Sequence, residues 1–370
     1  MRIDHFKIED WMNRYSYSAK YDLTSTCIEP LSIKDLLILC NIQNASEISD
    51  IKLDYGDIFG SNHLKRGIRS LYTKQEFENI TVTHGAIGAN QLVYQSLIEK
   101  GDDVVVIFPT YQQHYSVPKS LGANVKPVFL REENEWLPHL RELENSLTKR
   151  TKLICITNPN NPTGAVIPDE ILERIVEIAK ANNSWILSDE VYRGLNLNGN
   201  NYSKSVADIY EKGISVGSMS KTYSLAGLRV GWICGRGDLI AEANKHREYN
   251  TISVSVLDDY FASLALENRE KIEARNLNIM NAGLNILKDW LNSEIFVKAN
   301  LPQGATTALV RYKKDIPSKI LCKELQKQTG VALIPGSVME MEGFVRIGYC
   351  VNNETLKTGL NLFSQYLRTI

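Results

Sequence analysis

Between about residues 80 and 235 the chain alternates two kinds of hydrophobic pattern. Short, mostly apolar runs appear as NITVTH (79–84), DVVVIF (103–108), KLICITN (152–158), SWILSDE (184–190), GISVGS (213–218) and RVGWICG (229–235). Runs of this length predict strands buried on both faces. Segments of helical period fill the gaps, GANQLVYQSLIEKG at 88–101 and PDEILERIVEIAKANN at 168–183. The second opens with Pro168 and two acids, as helix starts prefer. Strands alternating with helices predict a mostly parallel sheet covered on both faces.

Past about residue 255 the pattern changes. A long helical stretch, VLDDYFASLALENREKIEARNLNIMNAGLNILKDWLN, leads into shorter alternating segments: FVKANL, TTALVRY, VALIPG and GFVRIGY. These predict a second, α+β unit. The N-terminal stretch has no sheet partner of its own and is expected to pack with the C-terminal unit. The expected division is a large domain over residues 45–275 and a discontinuous small domain over 1–44 and 276–370.

Composition narrows the function classes. The 370 residues are 43% hydrophobic and 23% charged, with formal net charge −1. These values suit a globular protein long enough for a large and a small domain. The balanced charge gives no electrostatic footprint for nucleic acid, and no like-charge run suggests a membrane surface. No window of 18 uncharged apolar residues predicts a membrane span. The polar start, MRIDHFKIEDWMNRYSYSAKYD, lacks the apolar core of a signal peptide. Six cysteines are widely spaced without C-x-x-C, so core thiols and a cytoplasmic location are expected. The six histidines include no H-x-x-x-H, so no metal is expected.

Ligands of open parallel sheets bind at the carboxyl ends of the strands. Four polar signatures fall there: HGAIGAN (84–90), NPNNPTG (158–164), SDEVYRG (188–194) and SMSK (218–221). Taken singly, each has an ordinary reading. Gly85 and Gly88 serve a turn, NPNNPTG is a Pro-Gly turn, and Asp189 and Glu190 are helix caps. Those readings do not explain all four at strand ends. A helix start after Gly85 offers free N–H groups to a phosphate, and Arg229 with Ser218 and Ser220 can complete the cradle. Lys221, partly desolvated, can form a Schiff base with an aldehyde. A carboxylate can keep a ring nitrogen protonated, and Tyr192 and Asn161 can hold a ring oxygen. Together these groups describe pyridoxal 5′-phosphate.

From about Tyr55 to Arg346 the chain resembles the fold-type I, pyridoxal-phosphate-dependent enzymes of the class I/II aminotransferase family. The resemblance implies an α/β aspartate aminotransferase-like fold: a large domain with a mostly parallel seven-stranded sheet, and a smaller α+β domain. It makes Lys221 the cofactor lysine, places Asp189 at the pyridine nitrogen, and sets Tyr192 and Asn161 at the ring oxygen. Tyr111 of FPTYQQHY would stack on the ring. Ala86, Ile87, Ser218, Ser220 and Arg229 would hold the phosphate, and Tyr55 would reach that of a neighbouring subunit. Arg346 of GFVRIGY would grip the substrate carboxylate. A homodimer with shared active sites is implied, as is chemistry at the α-amino group of an amino acid through an external aldimine and quinonoid.

Three departures narrow the resemblance. Residues 22–32 read DLTSTCIEPLS where the family carries a glycine-containing stretch. The phosphate loop reads THGAIGAN. The stacking motif continues PTYQQHYSVPKSLGA. These resemble the capreomycidine synthase-like branch, which acts on hydroxylated arginine and closes the guanidine onto the side chain. That resemblance implies a cyclase or lyase, with an ordinary transfer of an amino group to a 2-oxo acid as the alternative. A guanidinium needs a carboxylate partner. Glu29 is the first candidate, ahead of the acidic pair Glu9 and Asp10, and His84 is a candidate proton shuttle.

Overall fold

Seven strands form the main sheet: Ile80–His84 (β1), Asp103–Phe108 (β2), Asn124–Phe129 (β3), Thr151–Thr157 (β4), Trp185–Asp189 (β5), Gly213–Ser218 (β6) and Val230–Cys234 (β7). The computed structural model describes residues 2–42, 46–197, 199 and 202–370. The strand order is β1-β7-β6-β5-β4-β2-β3. Strands β2 to β6 pair in parallel, whereas β7 runs antiparallel to both β6 and β1. Alternate residues serve opposite faces. Val105, Ile107, Ile154 and Ile156 join one buried cluster, and Val104, Val106, Leu153 and Cys155 join another. That two-sided burial is why these strands are apolar throughout rather than alternating.

The apolar runs account for six of the seven strands. The seventh, β3, carries no such signal because it is the outer edge. Its residues NVKPVF are mostly exposed or half-buried, and Val128 alone is buried. Lys126 and Pro127 are tolerated where one side of a strand lacks a partner.

Seven helices matter here: Lys7–Tyr15 (α1), Gly85–Leu97 (α2), Gln113–Ser120 (α3), Asp169–Asn182 (α4), Val256–Glu267 (α5), Arg269–Ser293 (α6) and Asn353–Thr369 (α7). Helix α2 starts at Gly85, three residues before the periodic pattern begins. The single long stretch expected past residue 255 is two helices, α5 and α6, divided at Asn268. Among the described residues no helix is long and apolar enough to cross a membrane.

A second, antiparallel sheet contains Val297–Lys298 (β8), Thr307–Tyr312 (β9), Ile334–Pro335 (β10) and Phe344–Gly348 (β11), in the order β10-β11-β9-β8. The N-terminal segment is laced to it. Tyr21 and Asp22 pair in parallel with Val331 and Ala332. The Gly348 N–H donates to the Leu23 carbonyl at 2.8 Å, and Thr306 Oγ1 donates to the Thr26 carbonyl at 2.7 Å. Ile8, Trp11 and Leu23 share a core with Leu333, Ile347 and Phe363. Leu36, farther along, packs instead with Leu64, Val82 and Trp232.

The contact at Gly348 tolerates no side chain: a Cβ there would lie 1.9 Å from the Ser25 carbonyl oxygen. Gly348→Ala is therefore expected to destabilise the protein by about 1–3 kcal/mol through backbone displacement, read as a lower denaturant midpoint. An unchanged midpoint would contradict this packing.

Candidate active site at the carboxyl edge of the sheet

Parallel strands end on one edge, and the reversal of β7 adds its beginning to that edge. His84 pairs with Val230, and Ser218 pairs with Gly231. Arg229 is thereby delivered between the ends of β1 and β6 although it precedes its own strand. A cavity of about 570 Å³ lies along this edge. Its walls include Ala86, Ile87, Tyr111, Asn161, Asp189, Tyr192, Ser218, Ser220, Lys221, Arg229 and Arg346.

One end is built for an anion. The first turn of α2 has no side-chain cap, so its N–H groups remain available. The backbones pack closely beneath it: a Cβ on Gly231 would lie 2.4 Å from the Gly85 carbonyl carbon and 2.6 Å from the Ala86 nitrogen. A Cβ on Gly85 would lie 2.7 Å from an Arg229 guanidinium nitrogen. Arg229 itself holds φ +52°, a conformation a non-glycine residue keeps only when its surroundings impose it. Its Nη1 donates to the Ala226 carbonyl at 2.9 Å.

Farther along the edge, Asp189 is 5% exposed. Its Oδ2 lies 3.3 Å from Asn90 Nδ2 and 3.2 Å from His114 Nε2, and its Oδ1 accepts from the Val191 N–H at 3.3 Å. Behind it, Tyr94 Oη lies 2.6 Å from His114 Nδ1. Burial holds the Tyr94 hydroxyl well above the usual tyrosine range. A hydroxyl that stays protonated can donate to Nδ1, the tautomer in which Nε2–H faces Asp189. The Tyr94–His114 pair orients the carboxylate.

Lys221 donates from Nζ to Thr26 Oγ1 at 2.6 Å and to Cys27 Sγ at 3.3 Å. Burial pulls its ammonium down, but the facing Tyr192 and Cys27 outweigh this and leave it above the ordinary lysine value. Among the described residues the buried Tyr192 hydroxyl makes no hydrogen bond of good geometry, Thr26 being its polar neighbour. Arg346, 1% exposed, donates to the Thr24 carbonyl at 2.8 Å and to Asn161 Oδ1 at 3.2 Å, and among the described residues its Nε has no partner. Among the described residues no carboxylate pairs with it, an arrangement costly unless an anion arrives. Opposite, the Tyr111 hydroxyl donates to Glu9 Oε1 at 3.0 Å, and its ring lies 4.9 Å from Phe6.

Four residues singled out in the sequence, Glu29, Asp10, His84 and Tyr55, are not brought to the cavity. Glu29 is exposed beyond the lining segment, and its backbone carbonyl accepts from Arg275 at 3.1 Å. The acid that lines the cavity is Glu9, carried there by α1, while Asp10 turns to Arg14 at 3.0 Å. This reverses the order of the candidates: the E-P pair sits next to the cavity segment in sequence, but its side chain points outward. His84 precedes α2 with a buried, unpartnered Nδ1, outside the lining, and burial lowers its pKa. Tyr55 is 77% exposed on the outer surface.

Among the cavity and support residues that escaped the sequence reading are Asn90, His114, Thr26 and Cys27. Asn90 and His114 left a trace, as polar groups on the buried faces of α2 and α3. Thr26 and Cys27 left none, because their segment has no period to read. Four cysteines are buried, as core thiols are; Cys27 instead lines the cavity.

A family model described as aminotransferase class I and II matches residues 35–363. Capreomycidine synthase of Streptomyces vinaceus is 27% identical over 98% of this chain and 93% of its own length. The aspartate/prephenate aminotransferase of Thermus thermophilus is 26% identical over 85% of this chain and 84% of its own. Among solved structures, a PLP-dependent aminotransferase from Streptococcus suis is 41% identical and superposes with a TM-score of 0.96, covering 100% of this chain and 99% of that one.

Gly231→Ala places a methyl group against the anion-facing turn of α2. It is expected to weaken inorganic phosphate binding at least about tenfold, or about 1.4 kcal/mol, by calorimetric titration. Equal affinity in the two proteins would remove Gly231 from the cradle.

Proposed function

Because the chain belongs to the aminotransferase class I and II family and is pyridoxal-phosphate-dependent, we propose that it takes an arginine-like amino acid and closes hydroxylated arginine into a cyclic derivative. The observation that carries this reading is Glu9: a carboxylate lining the cavity beside Tyr111, within a pocket that also holds the unpaired guanidinium of Arg346. The breadth of the likeness to capreomycidine synthase supports it. The net change is loss of one water, a C–O bond breaking and a C–N bond forming. The comparable identity to an aspartate/prephenate aminotransferase favours a second reading, transfer of the amino group to a 2-oxo acid.

The residues present fit the cofactor. The Tyr192 hydroxyl suits the ring oxygen, and the amide nitrogen of Asn161 is left for it because Oδ1 receives Arg346. The Gly85–Gly231 contact leaves room for a phosphate that Ala86, Ile87, Ser218, Ser220 and Arg229 would hold. Asp189 would face the pyridine nitrogen, Tyr111 the ring, and Lys221 the aldehyde. When bound, the cofactor draws electrons from the substrate Cα.

The chain's own groups do the rest. Arg346 receives the α-carboxylate, for which it has free N–H groups. Lys221, once its amine is free, takes the proton from Cα and returns it. Glu9 receives the distal guanidinium, and α1 roofs the cavity with Ile8, Met12 and Asn13. The Asp189–His114–Tyr94 chain keeps the carboxylate aimed.

The working unit in this reading is a homodimer. Leu53, Tyr55, Ile58 and Phe59 are exposed along one segment, and Ile87 is exposed while also lining the cavity. A second copy covering this face would bury these side chains and bring a tyrosine at position 55 to the neighbouring cradle.

The deciding assay incubates the enzyme with L-arginine and its hydroxylated forms, with and without a 2-oxo acid. Cyclisation gives a product one water lighter without the acceptor; turnover that requires the acceptor establishes transamination instead. Glu9→Gln is expected to raise KM for the cationic substrate about 10–100-fold, the loss of a charge-assisted hydrogen bond of about 1.5–3 kcal/mol. An unaltered KM would exclude Glu9 from the side-chain pocket. Lys221→Ala should lose the covalent attachment of cofactor that borohydride makes permanent; retention of a reduced label on another lysine would overturn the assignment.

A further inference from the structure

We propose that Thr26 is a positioning residue which, with the Cys27 sulfur, receives the Lys221 amine whenever that amine is not joined to the cofactor. The inference rests on the reading of Lys221 as the cofactor lysine. An ammonium carries three donors and no acceptor. In this structure Nζ directs them to Thr26 Oγ1 at 2.6 Å and Cys27 Sγ at 3.3 Å, and among the described residues no carboxylate pairs with it. The receiving groups are held in place. The Thr26 carbonyl accepts from Thr306 Oγ1 at 2.7 Å, the Thr24 carbonyl from Arg346 at 2.8 Å, and Gly348 backs directly onto Ser25.

The amine therefore has two fixed destinations, the cofactor aldehyde and the Thr26 hydroxyl, and does not swing freely in the cavity between them. One short segment also meets both Lys221 and Arg346, so the proton-moving amine and the carboxylate-binding guanidinium share a support. The titratable groups facing Lys221 are Tyr192, Cys27 and Arg346. Thr26 is the acceptor among its partners that does not titrate, and an acceptor for the ammonium favours the charged form.

The test uses full-length, cofactor-free protein. Acetic anhydride is applied across a pH series, and acetylation of Lys221 is read by mass spectrometry. Thr26→Val removes the acceptor at nearly constant shape. It is expected to lower the pH midpoint by about half to one unit, giving about three- to tenfold more free amine below both midpoints. Thr26→Ser should restore the wild-type profile. If Thr26→Val does not fold, Thr26→Ala carries the same expectation. A Thr26→Val or Thr26→Ala profile overlaying wild type, or a Thr26→Ser profile following Thr26→Val, overturns the proposal. Borohydride labelling elsewhere than Lys221 would overturn the cofactor assignment while leaving these profiles readable, so the two failures are distinguishable.

Discussion

The close approach of Gly231 to the first turn at Gly85–Ala86 sets the frame for the cavity. Two backbones meet where Gly231 can carry no side chain. That contact fixes β7 between β1 and β6, in the reverse direction. The reversal puts Arg229 over the open end of a helix. Without it the helix would offer partial positive charge alone, and the arginine would lie on the opposite edge of the sheet. The remaining groups follow from strand order: Lys221 after β6, Asp189 at the end of β5, Asn161 after β4 and Tyr111 after β2.

Much of this arrangement was legible because strand ends are punctuated. Apolar runs stop abruptly at S-M-S-K, S-D-E and N-P-N-N-P, and a parallel sheet brings such stops together. The edge strand β3 was not legible, since Lys126 and Pro127 interrupt it and burial does not enforce a pattern there. Glu9 was the harder case. Its neighbours in sequence, Asp10 and Arg14, form an ordinary surface pair, and only the packing of Ile8 and Trp11 into the core turns Glu9 inward. Glu29 reads better in one dimension and worse in three.

The support of Asp189 illustrates how burial and ionisation are reconciled. A carboxylate so enclosed needs donors, and Asn90, His114 and the Val191 N–H supply them. Arg346 presents the inverse case: a buried cation satisfied by a carbonyl and an amide, short of a negative partner. One pocket lined by Glu9 and Asp189 as well as Lys221 and Arg346 is complementary to a ligand carrying groups of both signs.

The outer strand β3 has a consequence for how molecules of this chain meet. Pro127 lacks the N–H that a neighbouring ladder would use, and Lys126 places its amine beside Asp103 at 2.9 Å. Such a border resists templating by a foreign strand. Growth of the sheet from one molecule into the next is blocked on that side, which protects a long, strongly apolar scaffold from fibrous self-stacking.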